Sequence, residues 1–179
     1  MTYTCHYDSP LGGILLAGSE AGLTGLWFDG QKYFARTLAG ERLEQAELPV
    51  FQAARRWLDT YFSGREPDFT PPLHLTGTAF QTDVWAILRT IPYGQTMTYA
   101  EIAKRLAAQR GVERISAQAV GGAVGHNGIS ILIPCHRVIG SNGSLTGYAG
   151  GLDKKQALLA LEGADLSKCF LPRTGTVRA

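Results

Sequence analysis

The hexapeptide Ile133-Pro134-Cys135-His136-Arg137-Val138 sets a soft nucleophile, an imidazole and a fixed cation in succession behind a proline. An apolar run such as Ile129 to Ile133 needs no such polar tripeptide for packing, so Cys135 is the candidate nucleophile. A thiol reacts as its thiolate, which requires a base or an electropositive neighbourhood, and His136 and Arg137 supply one of each. Side chains adjacent on extended backbone point apart. Contact between His136 and the sulfur therefore requires Pro134 to bend the chain sharply; otherwise the link runs through water or a distant partner. Cysteine is often an inert core residue, and it is the neighbours of Cys135 that argue otherwise.

The 179 residues, 45% of them hydrophobic, suffice for one domain or two small ones with a real core. No apolar run approaches the ~18 residues of a membrane span, and the N-terminus lacks the pattern of a secretory signal, so the expected place is the cytoplasm, without membrane contact. Cys5, Cys135 and Cys169 form no closely spaced pair, which argues against a disulfide framework and a thiolate zinc site. Cys5-His6 has no second pair nearby and reads as strand packing. No metal and no cofactor are expected.

Net charge is only +2, but it is unevenly distributed. Residues 1–79 hold 6 Lys and Arg against 9 Asp and Glu, whereas residues 80–179 hold 11 against 6. The cysteine lies in the basic part, which favours a polyanionic partner there.

The elements that must position these residues fall into two groups. Tyr3 to Tyr7, Ile14 to Ala17 and Leu23 to Phe28 are apolar runs separated by turn residues, the pattern of an antiparallel meander. Pro49 opens a helix whose apolar face is Val50, Phe51, Ala54, Trp57, Leu58, Tyr61 and Phe62, closed by Gly64. Residues 66–77, with Pro67, Pro71 and Pro72, read as a linker. Beyond it, Phe80, Val84, Ile87, Leu88 and Ile91 have helical spacing. Thr98 and Glu101 form a capping box for a second helix running toward Gly111, and Ser116 caps a third, Ala117 to Val124, built almost wholly of small residues. The pair suggests a helix-turn-helix, although its joint from Gln109 to Ile115 is longer than usual; an ordinary helix-packing seam is the alternative. Asp153 is expected to cap a last helix through Leu161, ended by Gly163. Glu162 in its last turn opposes the helix macrodipole, so it is either an indifferent surface residue or a carboxylate held for a purpose, such as orienting an imidazole. The glycine-rich loop 140–151 follows the cysteine closely enough to wall a pocket.

Val84-Trp85, Ile91-Pro92-Tyr93-Gly94, Tyr99, Ala119-Val120-Gly121, Asn127, the hexapeptide, Gly147-Tyr148, Gly150-Gly151 and Leu161-Glu162-Gly163 together resemble the O6-alkylguanine-DNA alkyltransferases, over Phe80 to Gly163. The resemblance implies an α+β chain: a ribonuclease-H-like domain over 1–77, a mainly helical, winged-helix-like domain with a helix-turn-helix over 78–165, and a C-terminal tail over 166–179. It implies a monomer that binds double-stranded DNA containing alkylated bases, flips the lesion out and moves its alkyl group irreversibly onto Cys135, once per molecule. By the same resemblance Glu162, His136 and a water form a relay to the thiol. Asn127 ties the recognition helix to the cysteine segment, and Tyr99 serves the departing guanine. Tyr148 lines the alkyl pocket, while backbone groups of Val138 and Ala149 hold the base edge. Tyr99, Ala100, Ala117, Gln118, Ala119, Gly121, Gly122 and Ser141 are the implied DNA contacts, largely independent of sequence and from the minor groove.

The chain departs from the family pattern twice. Gln118 stands where the family commonly has an arginine, and the lengthened joint carries Arg110 and Arg114, either of which could contact phosphate. Two other classes fit parts of the sequence. A non-catalytic protein that recognises alkylated DNA would lack the reactive cysteine, and a cysteine hydrolase would need an oxyanion turn before Cys135 that is not present.

Overall fold

β1 (Thr2–Ser9), β2 (Gly12–Ser19) and β3 (Gly22–Phe28) form the antiparallel meander the sequence predicts. In this computed structural model, residues 1–36, 38 and 40–172 are described. A short β4 (Arg42–Glu44) adds in parallel to the outer edge of β1, giving the order β3-β2-β1-β4. All three of its residues are exposed, so it carries no apolar alternation from which to read a strand. The central strand β2 is buried on both faces. Gly18 on one face approaches Val50 and Phe51 so closely that an added Cβ would lie 3.3 Å from each, so α1 (Pro49–Phe62) covers that face, which Ile14 and Leu16 share. Leu15, Ala17 and Trp27 form a cluster on the opposite face, with Leu38 and Ala35 against it.

α1 starts at a proline whose missing N–H would have had no helical partner, and it buries Val50, Phe51, Ala54, Trp57, Leu58 and Tyr61. Each such side chain contributes about 1.5–3 kcal/mol on leaving water. The proline-rich stretch is more than a linker: Leu23 N–H donates to Pro72 O at 2.8 Å and His74 N–H to Leu23 O at 2.8 Å, pinning it to the start of β3.

Contacts divide the chain into two compact units, Met1–Thr76 with Gly128–Leu132, and Gly77–Asn127 with the chain from Ile133. The excursion of 128–132 is held to β3 by hydrogen bonds from Leu26 N–H to Gly128 O and from Ser130 N–H to Leu26 O. Ile131 has φ 71°, left-handed backbone that costs a β-branched residue about 1–3 kcal/mol.

In the second unit α2 (Ala79–Leu88), α3 (Tyr99–Arg110) and α4 (Ala117–Gly125) pack on one another through Val84, Leu88, Ile102, Leu106, Val120 and Val124, all buried. α2 begins with a capping box between Thr78 and Gln81, a signal of the same kind as the predicted Thr98–Glu101 box of α3. It ends at Leu88, so Ile91 is buried beyond the helix. α3 runs to Arg110 and closes on Gly111 at φ 64°, which leaves 111–116 as the joint. Ser116 caps α4 by accepting from Ala119 N–H at 3.0 Å. Trp85 Nε1 donates to Ala123 O at 2.9 Å and locks α2 to α4.

β5 (Met97–Thr98) pairs in parallel with β6 (Val138–Ile139). α5 (Leu152–Leu161) starts at Gly151, so Asp153 lies in its first turn and does not cap it. A carboxylate there faces the positive helix end without occupying the cap position. Residues 166–172 do not trail away: Phe170 exchanges backbone hydrogen bonds with Gly143 and Leu145, and Leu166 and Cys169 pack on Ile139, Leu145 and Leu159. Residues 173–179 of the expected tail lie outside the described residues. Among the described residues no helix is long and apolar enough to cross a membrane.

Candidate active site

Pro134 bends the chain. At φ −81° and ψ 65° it centres an inverse γ-turn, in which Cys135 N–H donates to Ile133 O at 2.8 Å. Cys135–Arg137 then form one turn of 3₁₀ helix and β6 follows at once. The backbone at the cysteine is therefore not extended, and neighbouring side chains are free of strict alternation. Asn127, just after α4, donates from Nδ2 to the same Ile133 carbonyl at 2.8 Å. One oxygen thus accepts from the cysteine's own backbone and from the end of α4, which fixes the turn to that helix.

Cys135 is 5% exposed and His136 fully buried. Burial pushes the thiol pKa up, opposed by the hydrogen bond of Asn127 and by the positive charge of Lys155. Burial likewise lowers His136, against the pull of Glu162. His136 Nε2 lies 2.6 Å from Glu162 Oε2, and both side chains are closed to solvent. For Glu162, burial alone would raise the pKa, but the hydrogen bonds and charges of His136 and Arg137 outweigh it and hold the carboxyl at about 2. A neutral imidazole beside a carboxylate must carry its proton on Nε2, which leaves Nδ1 as the basic ring nitrogen.

Arg137 does not stand beside the thiol as the sequence suggested. Its guanidinium turns to Glu162, with Nε 2.8 Å from Oε1 and Nη2 3.2 Å from Oε2, while Nη1 donates to Ile91 O at 2.7 Å. Gly94 N–H adds a fourth donor to the carboxylate at 3.0 Å. At Gly94 φ is 77° and a Cβ would lie 2.9 Å from the Glu162 carbonyl, so this approach requires glycine.

The pairing of β5 with β6 brings Tyr99, the first residue of α3, to the far side of the cysteine loop. Its hydroxyl donates to Thr146 O at 3.1 Å and reaches Gly147 O at 3.4 Å. Burial, and secondarily the charge that Cys135 can bear, raise the Tyr99 pKa and keep it a phenol. The Tyr148 ring meets that of His136 edge-on at 6.5 Å. Val138 and Tyr148 are buried and Ala149 half-buried; Ala100 and Ser141 are exposed. On α4, Ala117, Gln118, Ala119 and Gly122 are exposed and Gly121 partly so.

Two family models match: the 6-O-methylguanine DNA methyltransferase ribonuclease-like domain over residues 1–75, and the DNA-binding domain of the same family over 79–164. A methylated-DNA–protein-cysteine methyltransferase of Mycolicibacterium paratuberculosis is 47% identical over 87% of this chain and 88% of its own length. One from Methanosarcina acetivorans is 45% identical over 90% and 99%. The chain belongs to this methyltransferase family. A solved structure of the Mycobacterium tuberculosis OGT in complex with DNA superposes with a TM-score of 0.77 at 42% identity, covering 93% of this chain and 94% of that one.

In this family member the geometry gathers Cys135, His136, Glu162 and Asn127 around one turn, and sets Tyr99 and Tyr148 on its flanks. Arg110, one of two arginines that could contact phosphate, pairs with Asp83 at 2.8 Å on the exposed surface and lies over the Phe80 ring. Arg114 is exposed and, with Lys104 and Val112, lines a groove of about 550 Å³ between α3 and the joint. Lys155 was missed. It is fully buried on α5, and a signal existed: Lys155 precedes Leu158 and Leu159 by three and four residues, the spacing of the buried face.

Proposed function

We propose that the chain repairs alkylated double-stranded DNA by moving the alkyl group from O6 of guanine onto Sγ of its own Cys135. The observation that carries this reading is the junction of a buried cysteine with a His136–Glu162 pair, in a chain 45–47% identical to proteins named for methyl transfer to cysteine.

At rest the thiol keeps its proton. Once a flipped base fills the site, Nδ1 of His136 takes that proton through a water, Glu162 steadies the imidazolium, and sulfur attacks the alkyl carbon. The C–O bond breaks with its electron pair going to O6, and Tyr99 donates a hydrogen bond to the departing ring. The ring regains a proton from solvent as His136 releases the one it took, and unmodified guanine is restored in the strand. The thioether has no good leaving group, so each molecule reacts once. None of these steps calls on a cofactor.

The exposed small residues of α4, with Tyr99, Ala100 and Ser141, are the DNA-facing set, and Gln118 fills the space the extruded base leaves. Val138 and Ala149 meet the base through their backbone, and Tyr148 borders the alkyl group. The protein acts as a monomer in the cytoplasm. A non-catalytic lesion-binding role has less support, because it gives Cys135 and its buried partners no task.

The test is peptide mass after mixing the protein with a duplex carrying one O6-methylguanine. The tryptic fragment Ile115 to Arg137 should gain one methyl group on Cys135, saturating at one equivalent. An unmodified fragment despite duplex binding would point to lesion recognition alone, and absence of binding would sink the DNA-repair reading.

A further inference from the structure

Lys155 is a fully buried lysine without a carboxylate among its hydrogen-bond partners; it donates instead to three backbone carbonyls. Nζ makes a short bond to Val138 O and bonds of 3.1 Å to both Thr146 O and Gly147 O. These carbonyls come from the two strands of chain that leave and re-enter the cysteine site, and two of them are the acceptors of Tyr99. Desolvation brings the lysine pKa down to about 8, so its burial as a cation opposes folding. A methionine or leucine would pack at this helix position without that cost.

We propose that Lys155 is a positioning residue for recognition of the damaged base: its ammonium fixes the Val138 carbonyl so that the second lone pair of that oxygen accepts from the 2-amino group. The inference rests on the alkyl-transfer reading above. A carbonyl can only accept, and a guanine alkylated at O6 has lost its N1 proton, so the one donor left on its pairing edge is the exocyclic amine. A carbonyl already held by a cation on one lone pair is fixed in direction, with the other lone pair left to accept. The Thr146 and Gly147 bonds serve to hold Nζ in place for this.

The experiment measures single-turnover transfer rates on two duplexes that differ by one group, O6-methylguanine and O6-methylhypoxanthine, which lacks the 2-amino group. The unmutated protein should favour the first by about tenfold, the worth of one well-placed hydrogen bond. In Lys155→Met that ratio should collapse toward one, whatever happens to the absolute rates. Lys155→Gln, which keeps a donor at shorter reach, should lose part of it and serves if the methionine variant does not fold. Equal slowing on both lesions, with the ratio unchanged, would show a lysine that merely holds the loop and overturns the proposal. So does an unmutated protein that transfers from both lesions equally well. No transfer from either lesion by the unmutated protein overturns the alkyl-transfer reading itself.

Discussion

Arg137 and Glu162 form a buried two-point pair, Nε to Oε1 at 2.8 Å and Nη2 to Oε2 at 3.2 Å. His136 and this arginine together hold the carboxylate ionised. A neutral histidine can sit 2.6 Å away and remain available as a base. The arginine thus supports the His136–Glu162 pair rather than the sulfur directly.

Breaking that pair from either side should be costly. Arg137→Met and Glu162→Gln each leave one buried charge uncompensated, for which about 3–5 kcal/mol of stability is expected to be lost. In the double variant the loss should be well below the sum, because both charges are gone. Urea unfolding of the four proteins measures this coupling, and simple additivity would mean that the pair is not a unit.

The same pair dictates how stability depends on pH. The folded-state pKa of Glu162 lies at about 2, below its ordinary 4.5, so its contribution of about 3 kcal/mol is present above pH 4.5 and is lost as pH falls through the folded value. His136 is also depressed, below 6.5, and acts in the same direction: acidification favours the unfolded chain, which takes up the proton more readily. Stability should therefore decline from about pH 6.5 downward and more steeply below about 4.5. In Glu162→Gln the steeper part should flatten, as followed by urea midpoints from pH 7 to 3.

Asn127 offers a test that separates chemistry from DNA binding. Asn127→Ala removes one of two donors to the Ile133 carbonyl and the tie between α4 and the γ-turn, at about 0.5–1.5 kcal/mol. Transfer to Cys135 should slow at least tenfold, about 1.4 kcal/mol of barrier, with duplex affinity near that of the parent. Parallel loss of binding and transfer would place Asn127 in the DNA interface instead.

Gln118 is exposed in the first turn of α4 and brings no charge. Gln118→Arg should tighten duplex binding and raise the salt dependence of log K by about one. Titrations at several salt concentrations decide this, and an unchanged slope would mean that residue 118 does not reach the phosphate field.

Local order was largely readable from the chain. The capping box of Thr98 and Glu101, the cap of Ser116 and the proline start of α1 are interactions among residues a few positions apart, so residue types and spacing suffice to find them. Cys135 and His136 stood out as candidates for the same reason. β4 escaped because an exposed edge strand leaves no apolar alternation, and 128–132 joined the first unit through backbone bonds to β3 that no side chain announces.

The sequence by itself determined the periodic elements, the nucleophile and, through its motifs, the family. Only the tertiary structure decided which groups serve which. Arg137 turns from the sulfur to Glu162, Arg110 is taken by Asp83, and Lys155 reaches from α5 to carbonyls at Val138, Thr146 and Gly147. The physical reason is that long cationic side chains choose among acceptors far apart in sequence. For Arg137 and Lys155 the choice is settled by which buried carboxylate and carbonyls need a donor once the core has closed, whereas Arg110 and Asp83 meet on the exposed surface.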